Sequence, residues 1–537
     1  MPRDVGPDDA VSDTPDLNGD LAGSASVSAA VERQLAESSA LARGPQDTAV
    51  LPPLDHAAIR TIMGGIMLAM FLSALEQTIV APALPAIGKN LGDFDDLSWV
   101  VTSYLLAATT ATPLFGKLAD IHGRRTVMLL SIVIFIVGSL ACALAPTMPI
   151  LVLARALQGF GGGGLIPIAQ TIIADLLSPR ERPMAQSYTA AVFMGASILG
   201  PVLGGLLTDH LHWSFIFWIN LPMGAAALLM TGRALRRLPR HDRPHKLDIA
   251  GMTFMVAASL TLLLALDWAG REYRWLSWQI FSLFGASIIL WGLFAGWLLT
   301  AREPFIPLVI LRGRVTAGIT CAAFFSIGTI TGVVIFAPLY CQMVLGASAS
   351  VSGLSLIAFM GGATLGAIVM GRVIARLRHY MRVPICGLVV AIATFGFLAF
   401  DVSGLSLGKF TLLLGLLGVA TGPMYPGSTV IMQNAVKLHQ LGIATGTLNF
   451  FRLLGGAVIV AAFGAILLGT AADYGGVMKL DELRTSHADF IGAFRSVFIA
   501  GGAFLAVALA CVLAVEELPM GGPNERSGSP AAEGEPA

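Results

Sequence analysis

The chain has 537 residues, 55% of them hydrophobic and only 12% charged, with 33 Lys and Arg balancing 33 Asp and Glu. A soluble domain carries about twice that charged fraction, so most of this chain has no water to face, and a net charge of zero gives no footing for a nucleic-acid partner. Its five cysteines (Cys142, Cys321, Cys341, Cys386 and Cys511) lie in or beside apolar runs without metal-ligand spacing, which reads as packing.

In chain order, residues 1–58 come first, with ten acidic residues against three arginines and many Ala, Ser and Gly. That composition predicts a solvated, disordered tail. It lacks the basic start and early apolar core of a secretory signal. Fourteen apolar segments of membrane-spanning length follow, at 60–86, 98–117, 127–146, 149–174, 184–207, 214–235, 249–268, 279–300, 315–339, 351–376, 383–402, 408–433, 441–470 and 490–515. An even number places both termini on one side. Alternate loops collect nineteen Lys and Arg residues, among them Lys117, Arg124, Arg125, the run Arg233 to Lys246 and the run Arg372 to Arg382, whereas the opposite loops hold six. By the positive-inside rule the rich set is cytoplasmic, and both tails with it. The longest loop on the poor side, 471–489, is a polar connector too short for a soluble domain. The stretch 516–537 repeats the character of the first tail and is expected to be disordered and cytoplasmic.

Segment one places Glu76 near its middle, within Leu75-Glu76-Gln77-Thr78. An acid there costs about 2.5–3.5 kcal/mol on insertion scales, and a desolvated carboxyl is suited to taking up and releasing a proton. The competing reading is a structural Glu bonded to a neighbouring helix. Between segments two and three runs Gly116-Lys-Leu-Ala-Asp120-Ile-His-Gly123-Arg124-Arg125, a short basic loop with a turn glycine. Its arginines fix orientation, and Asp120 is positioned to hold a neighbouring helix by a charge-assisted hydrogen bond. Segment four carries Arg155 and Gln158 on one face, then Gly161 to Gly164. Arg155 keeps its charge and would tune a nearby carboxylate. The glycines permit close helix contact; no Lys-Ser/Thr follows them, so they do not form a phosphate loop.

Segment five contains Gly200-Pro201-Val-Leu-Gly204-Gly205, a bend with room to pack. Trp213 and Trp218 read as interfacial anchors, followed by Asn220 and Pro222. Segment thirteen holds a third embedded charge, Arg452, three residues after Asn449. It would balance Glu76, bind an anionic substrate or satisfy a backbone carbonyl. Tyr104, Gln158, Asn220, Gln433, Asn434 and Asn449 are the polar candidates for lining a cavity. Glycines of segments five and thirteen repeat weakly, as do the basic loops after segments two and ten. With segments seven and eight as an insertion, the chain divides into a six-helix bundle at 59–236, a linker and two extra helices at 237–312, and a second six-helix bundle at 313–515.

These strings resemble the motifs of the major facilitator superfamily and, within it, the fourteen-helix drug:proton antiporters of the EmrB/QacA type. The Gly116–Arg125 string matches the superfamily loop, with Ile121 in place of a basic residue, and Arg155-x-x-Gln158-Gly159 matches its segment-four signature. The Glu76 string matches the antiporter motif with Glu for the usual Asp; Ala196 to Gly205 matches the exchanger motif with Ala at its first position. Trp213 to Gly224 matches with Ser214 for Arg, and Tyr340-x-Gln342 and Gly446 to Gly456 also fit. The resemblance implies an all-α polytopic membrane protein of the major facilitator fold, two six-helix bundles plus two extra central helices, working by alternating access around a mid-membrane site. Proton coupling would fall to Glu76, Arg155 and Arg452, and conformational control to Gly116, Asp120, Gly123, Arg124, Arg125, Gly200, Pro201, Gly204 and Gly205.

The function implied is proton-coupled export of amphipathic small molecules such as drugs across the cell (inner) membrane. It needs no cofactor or metal beyond the proton gradient. Expected partners are substrate, protons and the bilayer, with periplasmic adaptor proteins added should the source be a Gram-negative bacterium. The same motifs also permit a dedicated metabolite or vitamin transporter, including an importer. A membrane enzyme is disfavoured, since no H-E-x-x-H, G-x-S-x-G or intramembrane carboxylate pair occurs. A sugar porter would show an acidic Pro-Glu-Ser-type string after segment six, where this chain reads Arg236-Arg237-Leu238-Pro239-Arg240.

Overall fold

A computed structural model describes residues 56–91, 97–178, 181–237, 248–270, 272–301, 304–306, 310, 312–374, 379–471 and 490–518. The predicted tail up to residue 55, most of the basic linker (238–247), the connector 472–489 and the end from 519 lie outside these.

The described residues build helices joined by short turns. The first half comprises α1 (His56–Ile79), α2 (Leu84–Leu91), α3 (Leu97–His122), α4 (Arg124–Ala143), α5 (Met148–Leu176), α6 (Arg182–His210), α7 (Phe215–Trp218) and α8 (Asn220–Ala234). Two central helices follow, α9 (Ile249–Trp268) and α10 (Trp278–Thr300). The second half has α11 (Arg314–Met343), α12 (Ala349–Ile374), α13 (Arg382–Phe400), α14 (Leu407–Thr421), α15 (Met424–Ala435), α16 (Leu441–Ala471) and α17 (Phe490–Leu513). Thirteen described spans are long and apolar enough to cross a membrane. The predicted segment not among them is the second, α3, a 26-residue helix. It is less apolar because Thr102, Ser103, Thr109, Thr110 and Thr112 lie along it, and it can be so because it packs inside the bundle, between α5 and α16.

Three spans depart from the single helices that the sequence suggests. The first runs from 59 to 91. It breaks after Ile79 into a short 3₁₀ turn, Ala81–Ala83, before α2 resumes, because Pro82 and Pro85 remove the donors a continuous helix would need. The sixth breaks at Ile219 between α7 and α8, and the twelfth at Gly422-Pro423 between α14 and α15. The basic loop of ten residues is also corrected: α3 continues through His122, and Gly123 alone, at φ 85°, separates it from α4. That left-handed turn is open to glycine at little cost. At the other end, Glu516, Glu517 and Leu518 are not part of a loose tail. Glu517 Oε1 accepts from the Met381 amide at 3.1 Å, and the Tyr380 hydroxyl donates to the Leu518 carbonyl at 2.8 Å. Burial and the neighbouring Glu517 charge push the Tyr380 phenol up to about 12, so this clasp keeps its donor throughout the neutral range.

The two halves meet through α3 with α16 and through α6 with α12. Segments two and thirteen thus pair as ten and five do, the exchange that the weak repeat implies. The central pair α9 and α10 packs on itself, and α9 leans on α3 and α16. Asp248 ties this pair down: Gly251 N, Trp297 Nε1 and Phe305 N all donate to its carboxylate at 2.8–2.9 Å. Ile288, Ile289 and Leu293 of α10 point outward, as a lipid-facing surface requires.

Within the first half α5 is the inner post, gripped by α3 and α4. Its glycines let both neighbours touch its backbone. A Cβ at Gly161 would lie 2.5 Å from the Phe135 amide of α4, and one at Gly163 would overlap the Ala108 carbonyl of α3. Gly163→Val is expected to force α3 away and cost about 1–3 kcal/mol or more, read as a lowered unfolding temperature of the detergent-solubilised protein. Gly285→Val, inside α10 with open space around it, is the matched control and should not lower that temperature.

Candidate functional site

Two separate buried networks hold the three embedded charges. The first lies inside the first half. Arg155 Nη1 donates to Glu76 Oε1 and, at 2.6 Å, to Gln158 Oε1; Arg155 Nε donates to the Val100 carbonyl at 2.8 Å. Asn220 Nδ2 donates to Glu76 Oε2 at 2.5 Å, and Gln158 Nε2 donates to Ser139 Oγ at 2.7 Å. The Tyr104 ring covers the guanidinium, its centroid 4.4 Å from Cζ, and Phe217 closes another side at 5.7 Å. Glu76, Gln158 and Asn220 have no solvent exposure. Arg155 and Asn220 both donate to Glu76. A proton on the carboxyl would oppose one of these donors, so protonation must release Arg155 or turn the Asn220 amide, whose Oδ1 is buried without a partner among the described residues.

Along α5 the network lies off centre. Arg155 is the eighth residue of the 29-residue α5, about 10 Å from the middle of that helix at 1.5 Å per residue. It lies toward the end away from the basic loops, where α1 breaks just after Glu76. The break at Ile219 serves the same site, since it starts α8 at Asn220.

Arg452 belongs to the second network, at the seam between the halves, and is not joined to Glu76. Its Nη2 donates to the Tyr425 carbonyl and Ser428 Oγ, both at 2.7 Å, and to Thr429 Oγ1 at 2.8 Å. Nη1 reaches Asn449 Oδ1 at 3.1 Å, and the Tyr425 ring lies 4.2 Å from Cζ. Across the seam, Asn449 Nδ2 donates to Gln170 Oε1 of α5 at 2.7 Å, and Gln433 Nε2 to the Gln170 carbonyl at 3.1 Å. Among the described residues no carboxylate pairs with Arg452. Arg452 is the twelfth residue of the 31-residue α16, about 6 Å from its middle on the basic-loop side. Arg155 and Arg452 therefore lie on opposite sides of the middles of their own helices, α5 and α16.

A third cluster closes the basic end. Asp120 accepts from the first free amides of α16, Gly442 N at 3.0 Å and Ile443 N at 2.7 Å, where the helix dipole favours an anion. Arg124 bonds the same carboxylate and also Asp175 at 3.0 Å. Gly116 meets Gly442 backbone to backbone. Ile121 is buried, and Arg125 Nε is buried without a hydrogen-bond partner among the described residues. In α6, Gly200 packs on Thr78 and Gly204 on the Ile79 carbonyl, while Pro201 is exposed and Gly205 has open space beside it. Asn434 lies beside Tyr380 near the basic end rather than among the embedded charges. Asp120→Asn is expected to speed hydrogen exchange of the Gly442 and Ile443 amides about tenfold or more, for a lost charged hydrogen bond of roughly 1.5–3 kcal/mol. Unchanged protection there would remove the case for a latch.

A family model described as Major Facilitator Superfamily matches residues 66–460. The chain belongs to the major facilitator superfamily. Superfamily relatives include a multidrug transporter protein of Bacillus subtilis, MdtP, 34% identical over 408 residues and covering 76% of this chain and 75% of that protein. Multidrug resistance protein 3 of the same species is 33% identical, covering 76% and 80%. The efflux pump dotC of Dothistroma septosporum is 33% identical, covering 82% and 74%. The fold matches the human organic anion transporter MFSD10, with a TM-score of 0.61 at 16% identity, covering 84% of this chain and 99% of that one. It also matches the proton:xylose symporter XylE, at 0.57 and 14%, covering 85% and 95%. The protein is thus a multi-pass membrane transporter of the superfamily fold.

Sequence reasoning missed Ser139, Gln170, Tyr425, Ser428 and Thr429. The last three follow the Gly422-Pro423 break, and a Gly-Pro pair inside a span was the signal available for them. Ser139 and Gln170 carried no signal beyond being polar in apolar runs.

Proposed function

We propose that this transporter exports amphipathic small molecules in exchange for protons, as a member of the fourteen-helix drug:proton antiporter group. The observation that carries the reading is the Glu76–Arg155–Asn220 cluster, a carboxyl ringed by donors and sealed from solvent. The names of the relatives, two multidrug proteins and an efflux pump, support drug-like cargo. In this reading the basic end faces the cytoplasm, both termini lie there, and the membrane is the cell membrane. The seam is closed at the basic end by Asp120 and Gln170. A proton arriving from the far side would displace Arg155, loosen α1 from α5 and favour opening toward the cytoplasm, where cargo loads.

The deciding experiment is transport by purified protein in proteoliposomes under an imposed pH gradient. Ethidium accumulation that needs the gradient supports the exporter. Gradient-driven uptake of one nutrient with no dye movement would instead favour a dedicated importer.

A further inference from the structure

We propose that Arg452 is an anion-binding site for cargo, loaded from the basic end, so that the protein carries amphipathic carboxylates or sulfonates as well as other cargo. This rests on the exporter reading and assigns a substrate class to it. Arg452 is 3% exposed, and its guanidinium meets one carbonyl, two hydroxyls, an amide oxygen and the Tyr425 phenol, with no carboxylate among the described residues. Arg155, equally embedded, has Glu76. A buried cation without a counter-charge is costly, and a charged ligand would supply what the fold does not. One further donor at the same place, Arg452 Nε, is buried without a hydrogen-bond partner among the described residues, and the Tyr425 phenol faces both Arg452 and Gln170. A spare N–H on a fixed, forked positive charge selects an anion with more than one acceptor oxygen.

The site has an apolar companion and a door. Phe193 of α6 lies edge-on to Tyr425, with centroids 6.0 Å apart, so a ring of the first half extends the aromatic surface that Tyr425 lays against the guanidinium. That pairing suits a planar ring carrying an acidic group. The door is Gln170, which crosses from the first half to hold Asn449 and Gln433. When the halves part at the basic end, Gln170 withdraws with α5, and Arg452 opens to that side. The break at Gly422-Pro423 places Tyr425, Ser428 and Thr429 at the start of α15, beside the cation. Discontinuous helices build many transporter sites in this way.

The test compares a permanently anionic ring compound, radiolabelled naphthalenesulfonate, with cationic ethidium. Both are measured with full-length protein, by gradient-driven transport in proteoliposomes and by equilibrium binding in nanodiscs. Wild type should bind and move both. Arg452→Gln should lose naphthalenesulfonate binding by at least about tenfold, the range of a charged hydrogen bond, and its naphthalenesulfonate transport should fall at least about tenfold further than its ethidium transport. Arg452→Lys should recover part of the anion binding, since it restores charge without the fork. A merely structural Arg452 would lower both compounds together, and that result overturns the proposal. So does naphthalenesulfonate bound equally by wild type and Arg452→Gln, or not bound by wild type at all while ethidium is exported. Arg452-dependent sulfonate binding with neither compound driven by the gradient would uphold the site and refute the exporter reading.

Discussion

Glu76→Gln is expected to abolish proton-driven transport while leaving the protein folded. The substitution keeps size and an acceptor oxygen, so Arg155 still finds Gln158 Oε1, the Val100 carbonyl and the amide oxygen of the substituted side chain around it. What it removes is the exchangeable proton. One proton crossing 100 mV supplies about 2.3 kcal/mol, and each pH unit adds about 1.4 kcal/mol. Without that input the protein can only equilibrate cargo. The measurement is accumulation against counterflow. In proteoliposomes, accumulation driven by a pH gradient should fall to background, while exchange of labelled for unlabelled cargo without a gradient persists. Retained pH-driven accumulation would remove Glu76 from the coupling role and return it to the structural reading. Glu76→Asp is the informative companion. Aspartate restores the residue that the antiporter group usually has here, but its carboxylate is one methylene, roughly 1 Å, short of Arg155 and Asn220. Coupling should survive with an altered pH profile.

The parts of this molecule that were legible in its sequence are those fixed by strong, local costs. Hydrocarbon cannot solvate backbone or charge, so segment lengths and the basic loops could be read directly. Glu76, Arg155 and Arg452 stood out because an embedded charge is expensive wherever it lies. Their arrangement was not legible. Position along a span places Glu76 near its middle, but says nothing of α1 ending at the prolines after it or of its carboxyl meeting Arg155. The sequence leaves Arg452 free to balance Glu76, bind an anionic substrate or satisfy a backbone carbonyl; in the structure it meets the Tyr425 carbonyl, with Ser428 and Thr429, which the broken twelfth span delivers. The polar helix α3 shows the same limit from another side. Its threonines weaken its apolar signal because its surroundings are other helices rather than lipid, and which helices those are is a property of the whole bundle.

Arg155→Ala should be the more damaging change, because it leaves a carboxylate in a sealed pocket without a counter-charge. Breaking a buried pair from one side costs roughly 3–5 kcal/mol, and here the lost guanidinium also vacates the space between the Tyr104 and Phe217 rings. The variant is expected to unfold at a clearly lower temperature in detergent, whereas Glu76→Gln stays near wild type. The sign of the interaction is tested by combining the two. If Arg155 matters to stability chiefly by neutralising Glu76, the Glu76→Gln, Arg155→Ala double variant should be more stable than Arg155→Ala alone, since no charge is left to bury. If Arg155 matters chiefly by packing and by its bond to the Val100 carbonyl, the two losses should add. A double-mutant cycle on unfolding temperature, with coupling of at least about 1 kcal/mol expected for groups in direct contact, separates these outcomes. Both single variants should be inactive in gradient-driven transport, so stability rather than transport is the readout that assigns Arg155 its part.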